Sequence, residues 1–212
     1  MRLRPAVFIA LGLVLPRIAP ASDSNAIPLN LPASASIGRP APDDSAVPAQ
    51  LSAHQKIASV NRYYNTRYRQ ESDMRVWGQG DYWASPHEFI ARGAGDCEDF
   101  AIAKYFHLVR DGVPEDSLRL MIVQHFDGAR MRIESHMVLA WYPGSRAEPM
   151  ILDNVSARIE PLSRRADLIP RLAFNRTGWW TMKGATAFRQ PGVFPEERWS
   201  TLLARVHAPQ VR

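Results

Sequence analysis

The sequence predicts an α+β domain, one buried helix packed on an antiparallel sheet, and two observations carry that prediction. From Cys97 to Val109 the residues are apolar almost all round (Phe100, Ala101, Ile102, Ala103, Tyr105, Phe106, Leu108, Val109), the pattern of a helix enclosed on every side. Leu118–Gln124, His136–Tyr142 and Met150–Asn154 then read as successive antiparallel strands. A helix layered on such a sheet is an α+β arrangement.

Taken in order, the chain opens with basic Arg2 and Arg4, an apolar run from Ala6 to Leu15, and Ala19-Pro20-Ala21. This is the pattern of an export signal, residues 1–21, cleaved near Ala21. The run is shorter than the roughly 20 residues that span a bilayer, so no stable membrane insertion is expected once the signal is removed. Residues 22–50 are rich in Pro, Ala, Ser and Asp without apolar periodicity, which predicts a flexible leader. One folded domain is expected over 51–184, followed by a C-terminal extension, 185–212, with a helix over Pro195–Val206.

Within the domain, Leu51, Ile57, Val60 and Tyr64 recur at helical spacing and predict an amphipathic helix to about Arg69. Trp77–Trp83 combines glycines and aromatics and reads as an ordered loop. Ser85-Pro86-His87-Glu88 supplies an N-cap serine, a proline at the first helical position and a glutamate at the third, so a short helix should run to Arg92 and stop at Gly93. Gly112 and Pro114 end the buried helix.

Composition narrows the function. Removing Arg2, Arg4 and Arg17 from the 26 basic residues leaves 23 against 21 acidic ones, a net charge of +2, and the basic residues are scattered. No nucleic-acid partner is expected. A single cysteine cannot form an internal disulfide, and none of the histidines outside the strand segment has a second ligand at zinc spacing.

That cysteine, Cys97, follows Gly93-Ala94-Gly95-Asp96 at the start of the buried helix. Unpaired N–H groups and the helix dipole favour a thiolate there, which makes Cys97 a candidate nucleophile. His136 is the candidate general base and Asp153 the carboxylate that fixes its tautomer. A four-residue loop Pro143–Arg146 would place His136 directly opposite Asp153 in a hairpin. The Cys97 N–H, with Gln79 as a side-chain candidate, would meet an oxyanion. Asp96, Glu98 and Asp99 oppose ionisation of the thiol beside them. They read either as ordinary helix-start acids, with Asp96 as N-cap, or as ligands for a hard cation, calcium rather than magnesium.

Asp96-Cys97-Glu98-Asp99-Phe100-Ala101-Ile102-Ala103-Lys104-Tyr105-Phe106, His136-Met137-Val138-Leu139-Ala140 and Leu152-Asp153-Asn154 resemble the bacterial transglutaminase-like cysteine peptidases of the LapG type. The likeness extends to Asp81–Pro86 upstream and to Phe174-Asn175-Arg176-Thr177-Gly178-Trp179-Trp180 downstream. It implies a transglutaminase/papain-like fold, a periplasmic location and cleavage of a large surface adhesin near its N-terminal retention region. It implies Cys97, His136 and Asp153 as the catalytic triad and Ca2+ at Asp96, Glu98 and Asp99. It also implies a regulatory partner, an inner-membrane receptor that senses cyclic di-GMP and sequesters the protease. The triad alone is equally compatible with acyl transfer, as in transglutaminases and arylamine N-acetyltransferases, and a non-catalytic binding module is the remaining alternative.

Overall fold

Local chemistry sets the helix starts. In the computed structural model, which describes residues 51–145 and 147–207, Ser52 opens α1 (Ala53–Arg67) with a capping box. The Ser52 side chain accepts from the Gln55 N–H at 3.3 Å, and Gln55 Oε1 accepts from the Ser52 N–H at 2.8 Å. The expected signal and leader, residues 1–21 and 22–50, lie outside the described residues. Next come β1 (Arg69–Gln70) and α2 (Asp73–Trp77). The sequence pattern places the α2 residues in no helix, and only its last residue, Trp77, belongs to the expected loop. α3 (Pro86–Arg92) matches its expected bounds, capped by Ser85 and Glu88 and stopped by Gly93 at φ 71°. β2 (Ala94–Gly95) pairs with β1 and leads into α4 (Cys97–Arg110), whose interior face is fully enclosed.

Seven strands follow: β3 (Leu118–Asp127), β4 (Arg132–Trp141), β5 (Met150–Leu152), β6 (Glu160–Pro161), β7 (Leu168–Asn175), β8 (Gly178–Lys183) and β9 (Thr186–Gln190). Their order is β6-β5-β4-β3-β7-β8-β9, antiparallel throughout. Alternation along the strands sorts two faces. Leu118, Leu120, Leu139, Trp141, Leu152 and Phe174 face the helices, with Ile102, Tyr105 and Leu108 of α4 in the same core. Met121, Val123, Val138, Ala140, Ile151 and Ala173 form a smaller cluster on the other face with Leu162 and Leu168. The α+β expectation therefore holds. Among the described residues no helix is long and apolar enough to cross a membrane.

The hairpin register differs from the expected one. β4 and β5 pair Leu139 with Leu152 and Trp141 with Met150, so the connection runs from Tyr142 to Pro149 rather than through four residues. Asp153 consequently falls one residue past β5, level with Val138 and diagonal to His136. A two-residue shift keeps the sheet face, which is why the two side chains still meet.

The segment 185–212 contributes β9 and α5 (Glu197–His207), and α5 packs into the main core. Trp199 is buried against Phe174, at 5.2 Å between ring centroids, and lies near Tyr105 at 6.2 Å. Replacing Trp199 with alanine should destabilise the whole domain by about 3–5 kcal/mol, the usual cost of removing a large buried aromatic. Urea unfolding would read this as one cooperative transition moved to lower denaturant; an unchanged midpoint would mean that α5 is an appendage.

Candidate active site

The start of α4 and the open edge of β4 build the site. Toward its N-terminal end β4 runs beyond its last β5 pairing at Leu139, leaving an edge that α4 reaches with its first residue. Cys97, Ser135, His136 and Met137 line one cavity of about 420 Å3, together with Trp83 and Arg198. Cys97 occupies the first helical position, so its own N–H has no acceptor within the helix. Gln79 is exposed and lies outside the residues lining the cavity.

His136 and Asp153 meet: His136 Nε2 is 2.9 Å from Asp153 Oδ1. The Asp153 carboxylate is wholly buried, which alone would raise its pKa. The hydrogen bond and charge of His136, then those of Arg165, override burial and hold the carboxyl well below the usual carboxylate range. Arg165 Nη2 donates to Asp153 Oδ2 at 2.7 Å, and the Val155 N–H donates to Oδ1 at 3.1 Å. The backbone carbonyl of Asp153 is held as well, accepting from Asn65 Nδ2 at 2.6 Å and Lys104 Nζ at 3.1 Å. Lys104 is itself fully buried, and burial brings its pKa down to about 7. Arg165, Asn65 and Lys104 are positioning residues that the sequence pattern leaves unmarked; Arg165 lies in a polar stretch with nothing to separate it from Arg164.

Around the thiol, charge works against ionisation. Burial first, then the carboxylates of Glu98 and Asp96, push the Cys97 thiol well up, and the Met137 N–H only partly opposes them. The helix start therefore does not by itself give the lowered thiol pKa that the sequence predicts. Cys97 Sγ donates to Glu98 Oε2 at 3.0 Å. Asp96 stands at the N-cap position, yet its side chain makes no capping hydrogen bond.

That carboxylate instead turns into an acidic cluster that includes a residue absent from the sequence reading, Asp73 of α2. Carboxylate oxygens of Asp73, Asp96 and Asp99 lie within 4.8 Å of one another, and Asp96, Cys97 and Glu98 form a second such group. Burial, reinforced by the charge of Glu98, pushes Asp96 up to about 10, and burial pushes Asp99 up to about 7. Asp99 already accepts from the Ala84 N–H at 2.9 Å and from Trp77 Nε1 at 3.4 Å. Buried Oδ1 atoms of Asp73 and Asp96 have no partner among the described residues. Hard oxygen donors, unsatisfied and mutually repulsive, suit a divalent cation.

The model of the family described as bacterial transglutaminase-like cysteine proteinase BTLCP matches residues 38–182. The chain belongs to that family. Calcium-bound Legionella pneumophila LapG is similar in structure, with a TM-score of 0.63 and 38% identity, covering 74% of this chain and 81% of that one. The EGTA-treated form of the same Legionella protein gives a TM-score of 0.62 and 37% identity, covering 74% of this chain and 80% of that one. No curated protein shows a significant match. The family and this likeness establish a transglutaminase-like cysteine proteinase fold for the domain.

The Asp153 proton is bound more weakly in the folded chain than in the unfolded one, where the carboxyl titrates near about 3.9. Its stabilisation is therefore complete above that value and lost as pH falls through the lower, folded pKa. The stability difference between the parent and Asp153→Asn should be constant near neutral pH and shrink below about pH 4. Chemical denaturation over a pH series would show this, and a difference that grows on acidification would contradict the buried anion.

Proposed function

We propose that this chain is a calcium-dependent periplasmic cysteine endopeptidase, with Cys97 as nucleophile, His136 as general base and Asp153 as the carboxylate that orients the imidazole. The observation that carries this reading is the cavity shared by Cys97 and His136, with Asp153 hydrogen-bonded behind the ring. Because Nε2 faces Asp153, Nδ1 is the nitrogen left for the thiol. The imidazole takes the Cys97 proton at Nδ1 as sulfur attacks the peptide carbonyl carbon and a C–S bond forms. The Cys97 N–H donates to the resulting oxyanion. His136 then returns the proton to the leaving amine as the C–N bond breaks. Water, deprotonated by the same nitrogen, attacks the thioester and releases the acid and the thiol.

Asp96 and Glu98, with Asp99 behind them and Asp73 adding an oxygen from α2, would hold calcium, whose charge would offset the carboxylates that keep the thiol protonated. Support comes from the unsatisfied oxygens of the cluster and from the calcium-bound form of the Legionella relative. The substrate in this reading is a large cell-surface adhesin, cut in its N-terminal region so that the adhesin is released and a biofilm disperses. A cyclic-di-GMP-sensing inner-membrane receptor controls the cut by sequestering the protease. Family membership and the export pattern of residues 1–21 support this part.

Cys97→Ala should lower cleavage of an adhesin N-terminal fragment by at least about 10^4-fold with an unchanged circular-dichroism spectrum. EGTA should abolish cleavage by the parent and added calcium should restore it. Retained cleavage by the variant would sink the nucleophile assignment, and full activity in EGTA would remove calcium from the account.

A further inference from the structure

The downstream motif Phe174–Trp180 has no part in the chemistry above, and it builds a second concavity at the opposite end of the strands. Leu118 pairs with Trp141 there, whereas His136 pairs with Val123, so the two places are separated by about 17 Å along β4. The cavity, about 630 Å3, is lined by Ser117, Arg119, Tyr142, Thr177, Trp180 and Arg189, with Asp116 as its one carboxylate among the described residues.

Its centre is an aromatic-held guanidinium. Arg119 Cζ lies 3.8 Å from the Trp180 ring centroid and 4.3 Å from that of Tyr142. Stacking on ring faces leaves the in-plane N–H groups of a guanidinium as its free recognition edge. The Arg119 Nε and the Tyr142 hydroxyl are buried without a hydrogen-bond partner among the described residues. A second guanidinium, Arg189, lies 5.3 Å from the Trp180 centroid and donates to the Thr177 carbonyl at 3.0 Å. A Cβ on Gly178 would stand 2.9 Å from that guanidinium, so the glycine of the motif is what lets Arg189 lie across the β7–β8 turn.

We infer that this concavity is a docking site for an acidic peptide segment of a protein partner, its carboxylates bridging Arg119 and Arg189. Two guanidinium forks match planar carboxylates in pairs. The cavity is larger than one small anion fills. Two cations against Asp116 leave about one net positive charge among the described lining residues, which suits a peptide carboxylate rather than a polyanion.

The test is fluorescence anisotropy of a fluorescein-labelled Glu-Glu-Glu peptide titrated with the full mature chain at low salt, with a Gln-Gln-Gln peptide in parallel. Saturable binding of the glutamate peptide alone, weakened at least tenfold in Arg119→Gln and severalfold in Arg189→Gln and in 0.3 M salt, is the expected result. The exposed Arg189 supplies a variant that should fold even if Arg119→Gln does not. Equal binding of the glutamine peptide, unchanged binding in Arg189→Gln with Arg119→Gln folded and also unchanged, or displacement by inorganic phosphate at peptide-equivalent concentrations would overturn the proposal.

Discussion

The arrangement depends on one buried anion. Asp153 has no solvent exposure, and an isolated carboxylate there would be protonated or would unfold its surroundings. It stays ionised because His136 from β4, Arg165 from the segment before β7 and the Val155 N–H all bond its carboxylate, while Asn65 from α1 and Lys104 from α4 hold its backbone carbonyl. The bonds to the carbonyl tie α1 and α4 to the same residue whose carboxylate holds the imidazole. Arg165 extends the network to Asp167, through Nε at 2.9 Å and Nη2 at 2.7 Å, and His125 lies 3.6 Å from the same carboxylate. Loss of one partner leaves the remaining charges buried and uncompensated, which is far more costly than the net worth of any single pair.

The acidic cluster is the opposite case, a local conflict left standing. Asp73, Asp96 and Asp99 crowd buried oxygens together, and no basic side chain among the described residues pairs with Asp96 or Asp99. Natural folds tolerate such inconsistency mainly at functional sites. Here the conflict lies beside the thiol, whose pKa is raised by burial and then by the Glu98 and Asp96 carboxylates. One bound cation would relieve both.

Much of the fold was legible because its signals are local. Ser85, Pro86, Glu88 and Gly93 fix α3 through neighbours three or four residues away, and the uninterrupted apolar run of α4 declares a buried helix. β7 was not legible: Pro170 interrupts it, and a proline argues against a central strand. The structure accommodates Pro170 at the irregularity where the β3–β7 register shifts next to Val123. Cys97, His136 and Asp153 were legible as candidates from residue type and spacing together with the family likeness, and the fold brings His136 and Asp153 into contact and Cys97 and His136 to one cavity. Asp73, Arg165, Asn65 and Lys104 were not, since their value lies in partners brought close only by the tertiary fold. Asn65 and Asp153, for example, are 88 residues apart in the chain. The hairpin register failed for a similar reason: both ends of the Tyr142–Pro149 connection are held by distant segments, the Tyr142 N–H by the Ser117 carbonyl and the Pro149 carbonyl by the Leu162 N–H.

The central claim is that the sulfur of Cys97 and the imidazole of His136 act as one unit. Since Cys97 is the sole cysteine, its alkylation by iodoacetamide can be followed without ambiguity. In calcium-loaded protein across pH 5–9, the account predicts rapid alkylation near neutrality in the parent, at least tenfold slower in His136→Ala and intermediate in Asp153→Asn. Identical rate profiles in all three folded proteins would show that the thiol reacts without the histidine and would contradict it.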